Sequence, residues 1–268
     1  MLKTPVEPDE ARTSNPPLPL AGKMAIVTGA SAGIGRAVAA QLAKLGAAVV
    51  VSGRRMARLE TLAAHITQMG GAALAVEADA ADNAAIDQLL AKAETWGEKT
   101  GCGLSMVVVN AGRGLAGGLL GSDESQWEYL YRLNVLGAMH LMRRAAARFA
   151  EKKQGDIVVL GSVAGHNISP FSGMYGSTKW AIAAAAEALR REVCGQGVRV
   201  TTIKPGIVES EFQDVAGYTF DNFTKMVQKF GAVLKPEDVA AAIGFVVCQP
   251  PHVHINELVI RPTGQDYP

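Results

Sequence analysis

The segment YGSTK places a tyrosine and a lysine, Tyr175 and Lys179, four residues apart in an alanine-rich run of helical composition. Residues at that spacing lie on one face of an α-helix. An ammonium close to a phenol favours the phenolate and lowers the tyrosine pKa from its reference near ~10, which suits proton transfer at an alcohol or a carbonyl. The pair alone would also fit two solvated side chains, so the chemistry requires a redox partner from elsewhere in the chain.

The elements that would position this pair alternate regularly along the sequence. Short apolar runs predict strands at 24–29, 48–53, 73–79, 105–112, 156–162, 199–206 and near 257–261. Helical composition predicts helices at 35–46, 56–70, 83–97, 125–150, 174–194 and 236–248. Apolar strands that alternate with helices are typical of a parallel sheet covered on both faces. We therefore expect an α/β fold, a Rossmann-type doubly wound parallel sheet in a single domain.

Two segments interrupt this alternation. Residues 1–20 are rich in proline and polar residues and predict a flexible leader before a single domain over 21–268. Residues 210–235 follow a predicted strand end, where an insertion is well placed to cover a ligand. We expect a lid insertion near 210–235.

The composition argues against several classes of function. The chain has 268 residues, 49% of them hydrophobic, and a formal net charge of +1, which gives no sign of a nucleic-acid or membrane partner. No apolar run reaches the ~18–20 residues of a membrane span, and no signal-peptide pattern is seen. The dispersed Cys102, Cys194 and Cys248 predict reduced thiols in a cytoplasmic protein. His252 and His254 lack a partner at ligand spacing, so we expect no metal.

The first predicted strand ends in TGASAGIG, residues 28–35, which brings Gly29, Gly33 and Gly35 to a strand–helix turn. Glycines let the backbone approach a pyrophosphate, and the helix N-terminus offers N–H groups and a positive dipole end. A tight turn is the alternative. The position of the loop in a βαβ unit favours nucleotide binding.

The spacing G-x-x-x-G-x-G, together with YGSTK, resembles the short-chain dehydrogenase/reductase family over roughly residues 22–262. Further matches are NAG after the fourth strand, a serine 13 residues before the tyrosine, a Pro-Gly pair after the sixth strand, and an acidic residue after the third. The residues in these matches are Asn110, Ala111, Gly112, Ser162, Pro205, Gly206 and Asp79.

The resemblance implies a catalytic set of Ser162, Tyr175, Lys179 and Asn134. Tyr175 would protonate the carbonyl oxygen, and Ser162 would hydrogen-bond the same oxygen. Lys179 would lower the tyrosine pKa and hold the nicotinamide ribose. Asn134 would orient a water that links Lys179 to solvent. Thr28 is expected to be structural.

The resemblance also implies a nicotinamide dinucleotide as cofactor. The residues expected to bind it are Gly29, Ser31, Gly33, Ile34, Gly35, Arg54, Arg55, Asp79, Ala80, Asn110, Ala111, Gly112, Tyr175, Lys179, Pro205, Gly206, Val208 and Ser210.

The end of the second strand, VVVSGRR, distinguishes the two nicotinamide cofactors. An acidic residue there favours NAD, and Gly53 stands in its place, followed by Arg54 and Arg55. A guanidinium forks onto phosphate oxygens, so we expect NADP(H), with Arg54 favoured and Ser31 or Arg55 assisting. Two departures are Ala32, where NADP users often carry a basic residue, and Ser210, where the family has threonine. The arginines could also simply begin a solvated helix.

The substrate pocket is less well specified. We expect three groups of residues to line it: those that follow Ser162, those that follow the NAG segment, and apolar residues of the lid insertion. They are Val163, Ala164, His166, Arg113, Gly114, Leu115, Phe212, Tyr218, Phe220, Phe223 and Met226. Arg113 and His166 would meet an anionic substrate end or face water.

Three functions remain open. The first is reduction of a ketone, β-keto ester or keto acid, or the reverse oxidation of an alcohol. The second is a 3-oxoacyl-(acyl-carrier-protein) or acyl-CoA reductase, with Arg143, Arg144 and Arg148 docking an acidic carrier. The third is a regulator that binds NADP(H) without turnover. The two long helices predicted at 125–150 and 174–194 are rich in alanine, which permits close helix packing, and the family usually pairs these helices between subunits. We therefore expect a homotetramer, or else a homodimer.

Overall fold

The computed structural model describes residues 17–217, apart from the side chain of Asp214, and residues 224 and 227–267. The strands are β1 (Lys23–Thr28), β2 (Ala48–Gly53), β3 (Ala73–Glu77), β4 (Gly103–Val109), β5 (Gly155–Leu160), β6 (Val198–Pro205) and β7 (Glu257–Ile260). The α-helices are α1 (Gly33–Lys44), α2 (Met56–Gln68), α3 (Asn83–Thr100), α4 (Trp127–Tyr131), α5 (Ala138–Lys152), α6 (Gly173–Val193), α7 (Phe212–Ala216) and α8 (Pro236–Val247).

The seven strands form one parallel sheet in the order β3-β2-β1-β4-β5-β6-β7. The predicted doubly wound sheet is confirmed. The strand order reverses between β1 and β4, because the chain builds the sheet outward in both directions from this pair. The loops after two such strands diverge and leave a crevice at the carboxyl edge of the sheet.

Residues along a strand alternate between two hydrophobic cores. In β1, Met24 and Ile26 belong to the core that contains α3, α5 and α6. Ala25 and Val27 belong to the core that contains α1, α2 and α8. Both faces of the sheet are therefore covered, which explains why the strands read as uninterrupted apolar runs rather than as alternating patterns.

The helix predicted at 125–150 is present as one run of helical residues, but its hydrogen-bonding pattern changes along it. A 3₁₀ turn at Glu124–Gln126 leads into α4, a π-helical turn follows at Arg132–Gly137, and α5 completes the stretch. Such π turns in helices occur frequently at functional sites. Here the turn contains Asn134, one of the predicted site residues.

The predicted leader and the predicted lid both include residues that the structure does not describe. Leu20, placed in the predicted leader, is buried, and its N–H donates to the Leu45 carbonyl at 2.9 Å. Residues 1–16 lie outside the described residues, as do Tyr218, Phe220, Phe223 and Met226 of the predicted lid.

Among the helices described, none is long and apolar enough to cross a membrane.

Candidate active site

A cavity of about 680 Å³ opens at the carboxyl edge of the sheet, lined by the loops that follow β1 to β6. It brings together every predicted catalytic and cofactor residue except Asn134: Gly29, Ser31, Gly33, Ile34, Gly35, Arg54, Arg55, Asp79, Ala80, Asn110, Ala111, Gly112, Ser162, Tyr175, Lys179, Pro205, Gly206, Val208 and Ser210. In the part of the chain that the structure describes, no group of three or more His, Cys, Asp or Glu is placed to hold a metal ion.

Hydrogen bonds join the loops after β1 and β4. The Thr28 hydroxyl donates to the Val108 carbonyl at 3.2 Å and accepts from the backbone N–H groups of Asn110 and Ala111, both at 3.1 Å. The Asn110 amide donates in return to the Thr28 carbonyl at 2.8 Å. Thr28 is therefore structural, and it fixes the glycine loop relative to the NAG segment.

The glycine-rich loop has the form of an anion cradle. Gly29 has φ +66°, and a Cβ there would lie 2.8 Å from the Asn110 amide nitrogen. A Cβ on Gly35 would also collide with that amide. Within the described chain, no side chain caps the N-terminus of α1 and its first turn has no acidic residue. The first-turn N–H groups are thus available to a pyrophosphate, and the residues fit a bound dinucleotide.

The two arginines after β2 have different partners. Arg55 donates from Nε and Nη2 to the Ser31 hydroxyl at 3.1 and 2.9 Å, so its guanidinium lies on the glycine loop. Arg54 donates from Nη1 to the Tyr129 hydroxyl in α4 at 2.8 Å. Asp79, at the same end of the cavity, accepts the backbone N–H of Ala81 at 2.9 Å.

A carboxylate that the sequence did not single out also reaches these arginines. Glu211, after β6, accepts a hydrogen bond from Arg55 Nη1 at 2.9 Å and from Arg58 Nη1 at 2.6 and 2.8 Å. The hydrogen bonds from Arg55 and then Arg58 lower the pKa of Glu211 from its ordinary value. No local pattern marks this contact, because the partners come from opposite halves of the sheet.

At the other end of the cavity, Lys179 is 8% exposed and its Nζ donates to the Leu160 carbonyl at 2.7 Å. The same Nζ lies 5.8 Å from the centroid of the Tyr175 ring, so α6 does present the two side chains together. Burial lowers the pKa of Lys179 to about 8. Ser162 ends the loop after β5 and accepts the Ala164 N–H at 3.1 Å.

Asn134 lies behind the cavity rather than in its lining. Its amide donates to the Arg113 carbonyl at 2.9 Å and to the Thr178 hydroxyl at 3.1 Å, and its side-chain oxygen accepts the Arg113 N–H at 3.0 Å. The π turn thus ties the loop after β4 to α6, one residue before Lys179.

The predicted substrate residues divide into two groups. Val163, Ala164, Arg113 and Phe212 line the cavity. The Phe212 ring centroid lies 5.5 Å from that of Tyr175.

The other predicted substrate residues that the structure describes do not line the cavity. Leu115 is buried, Gly114 packs beneath Phe212, and exposed His166 lies with its Nδ1 3.9 Å from a carboxylate oxygen of Glu257. Lining residues with no motif to reveal them come from the 169–172 loop, the end of the predicted lid and the C-terminal segment: Ser169, Phe171, Ser172, Lys229, Phe230, Gln265 and Tyr267.

Known proteins with similar sequences and structures point to one family. The family model described as short chain dehydrogenase matches residues 23–218. An uncharacterized oxidoreductase of Staphylococcus epidermidis is 33% identical over 241 residues, which is 90% of this chain and 97% of that protein.

Two further relatives differ in how much of their length is matched. Glycine betaine reductase ATRR of Emericella nidulans is 33% identical over 269 residues, which is 98% of this chain, but the chain spans only 20% of that protein. The solved closed form of serine dehydrogenase complexed with NADP+ matches with a TM-score of 0.83 and 30% identity, over 91% of this chain and 96% of that one.

The buried ammonium predicts a stability cost that can be measured. Lowering the pKa of Lys179 from 10.5 to about 8 corresponds to about 3 kcal/mol of unfavourable charge burial at neutral pH, of which the bond to Leu160 offsets about 1–2 kcal/mol. Lys179→Met removes the charge and keeps the side-chain length. We expect it to raise the free energy of unfolding at pH 7, measured with urea, by about 1–2 kcal/mol.

The stability advantage of Lys179→Met over the wild-type protein should shrink as the pH rises. The folded-state pKa lies below the unfolded value, so between about 8 and 10.5 the unfolded chain binds more protons and the wild-type protein gains stability. Lys92→Met, at an exposed position of α3, is the control and should change stability little. A Lys179→Met variant that is less stable than wild type at pH 7 would contradict this interpretation.

Proposed function

The chain belongs to the short-chain dehydrogenase family, and on that premise we propose an NADP(H)-dependent oxidoreductase that reduces a ketone, β-keto ester or keto acid to the secondary alcohol, reversibly. The observation that carries the proposal is the placement of Ser162, Tyr175 and Lys179 in the same cavity as the glycine-rich loop. That arrangement unites a proton donor with a site that fits a redox dinucleotide.

The contacts after β2 favour NADP(H) over NAD(H). Gly53 leaves the ribose 2′ position without an acidic partner, and the Arg55 guanidinium on Ser31 offers a fork for a phosphate. The sequence favours Arg54 for this role, but Arg55 contacts the glycine loop whereas Arg54 turns to Tyr129. We therefore assign the larger share to Arg55. The solved serine dehydrogenase, which is 30% identical, is complexed with NADP+.

The catalytic residues act on the proton and on the developing charge. When bound, the nicotinamide supplies or accepts the hydride. Tyr175 donates its phenolic proton to the carbonyl oxygen, and Ser162 hydrogen-bonds that oxygen as negative charge develops on it. Lys179, held by the Leu160 carbonyl, places a positive charge beside the phenol and stabilises its deprotonated form.

Asn134 has a positioning role in this scheme. Its hydrogen bonds to Arg113 and Thr178 hold the loop after β4 against α6, and so set where Lys179 lies. The water that it would orient toward Lys179 stays a prediction from the sequence.

The substrate end of the cavity suits a small carbonyl compound with an apolar body and an anionic end. Phe212 covers Tyr175. Arg113 lines the cavity, with its guanidinium oriented by the Gln126 side chain at 2.6 Å. Its Nε also donates to the Gly114 carbonyl at 3.4 Å and its Nη2 to the Val215 carbonyl at 3.5 Å, so a substrate carboxylate would be bound mainly through Nη1, by a charge-assisted hydrogen bond. Serine, which gives serine dehydrogenase its name, also carries a carboxylate.

Reduction of carrier-bound acyl chains receives less support. Arg144 and Arg148, proposed to dock an acidic carrier, pair with Asp87 and Glu94 of α3 at 3.0 and 2.6 Å. These pairs engage their charges within the chain. A regulator without turnover would have no use for the Tyr175–Lys179 arrangement.

Exposed apolar side chains on the long helices support the oligomer predicted from the sequence. Leu136, Met139 and Trp180 are large apolar side chains exposed on the π turn, α5 and α6. They support association through these helices as a homotetramer or a homodimer. A cytoplasmic location stays a prediction.

A substrate panel tests the proposed reaction. We expect oxidation of NADPH, and much less of NADH, with a β-keto ester, a β-keto acid and aryl ketones, and little with an acetoacetyl thioester. Tyr175→Phe should lower kcat by at least about 100-fold with NADPH affinity within about 3-fold, because the proton donor alone is removed. Tyr131→Phe is the matched control. Near wild-type activity of Tyr175→Phe, or preference for the thioester, would contradict the proposal.

The cofactor assignment is tested by two neighbouring substitutions. Arg55→Ala should weaken NADPH binding by about 10- to 100-fold, since charge-assisted hydrogen bonds to phosphate are lost, and change NADH binding less than about 3-fold. Arg54→Ala should cost NADPH binding less than about 5-fold. Dissociation constants from fluorescence titration provide the comparison. An equal or larger loss in Arg54→Ala would return the main role to Arg54.

The anionic end of the substrate is tested with an acid–ester pair. Arg113→Gln should lower kcat/KM for acetoacetate by at least about 10-fold and leave ethyl acetoacetate within about 3-fold, because only the acid uses the guanidinium. Arg143→Gln, exposed on α5, removes the same charge outside the cavity. Equal losses on acid and ester would make Arg113 a structural residue.

A further inference from the structure

Glu211 contacts Arg55, the arginine proposed above to bind the cofactor phosphate, and its neighbour Arg58. It accepts three hydrogen bonds, one from Arg55 and two from Arg58, and its side chain is 49% exposed. The same Arg55 holds Ser31 of the glycine loop with its remaining nitrogens. A carboxylate and the predicted phosphate-binding hydroxyl therefore share one guanidinium.

The backbone brings this carboxylate across the cavity. Ser210 rests on the glycine loop, since a Cβ on Gly33 would lie 3.3 Å from its Cβ. Glu211 follows directly and extends over the loop to the start of α2. Its position is thus determined by the contact between the loop after β6 and the loop after β1.

A carboxylate and a phosphate make the same charge-assisted hydrogen bonds to a guanidinium. We propose that Glu211 competes with the 2′-phosphate of NADP(H) for Arg55 and Arg58, so that binding of the phosphorylated cofactor displaces it. A cofactor without that phosphate leaves the ion pair intact. This inference rests on the proposed NADP(H) site and makes Glu211 a residue that sets cofactor specificity.

The competition has a direction. Because the phosphate replaces an existing partner, the native chain binds NADP(H) less tightly than the arginines alone would allow. Preference for NADP(H) over NAD(H) is correspondingly smaller. Removing the carboxylate charge should increase both the affinity for NADP(H) and the preference for NADP(H) over NAD(H).

The test compares two adenosine fragments, so that no turnover is needed. We expect Glu211→Gln to bind 2′,5′-ADP about 3- to 10-fold more tightly than wild type, by isothermal titration calorimetry, with 5′-AMP unchanged within about 2-fold. Glu209→Gln is the matched control, since it removes the same charge from an exposed position on the same loop. It should leave both fragments within about 2-fold.

The outcomes separate this inference from the cofactor assignment. If wild type favours 2′,5′-ADP over 5′-AMP but Glu211→Gln behaves like Glu209→Gln, the competition is refuted and the NADP(H) assignment stands. Weaker binding of 2′,5′-ADP by Glu211→Gln would mean that the carboxylate assists the arginines, which also refutes it. If wild type shows no preference for 2′,5′-ADP, the NADP(H) assignment fails and this inference fails with it.

Discussion

The hydrogen bonds between Thr28 and Asn110 hold the two halves of the site together. They cross from β1 to β4, the neighbouring strands where the strand order reverses. The crevice at such a reversal would otherwise be bounded by two independent loops. With this link, the glycine loop and the NAG segment share one geometry, and the absent side chains of Gly29 and Gly35 make room for the Asn110 amide.

The half of the site proposed to be catalytic contains a buried charge. Lys179 is held beneath Tyr175 by the Leu160 carbonyl, at the end of a strand in the middle of the sheet. Burial lowers the pKa of this lysine, so the fold loses stability to hold a cation at the position that the proposed reaction would use. The π turn at Asn134 serves the same placement, because it links α6 to the loop after β4.

Regular features of the sequence predicted most of the fold and the part of the site that short motifs mark. The apolar strands, the glycine loop and the Tyr175–Lys179 spacing are local patterns, and each has a direct physical cause. The π turn could not be predicted from a local pattern, because it accompanies a hydrogen bond between Asn134 and Thr178, which lie far apart in sequence. The partners of Arg54 and Arg55 were equally hidden, because adjacent arginines are alike in sequence and differ only in what the fold brings near them.

One loop joins the two ends of the cavity. After β6, Glu211 reaches the arginines at the adenosine end, and the next residue, Phe212, packs on Tyr175 at the catalytic end. The two contacts therefore share one stretch of backbone, although the Glu211 carboxylate can leave Arg55 by rotation of its own side chain. Under the proposed function, the segment that meets the cofactor at the arginines is thus the same one that packs on Tyr175, so a substitution that displaces its backbone is expected to affect both ends of the cavity.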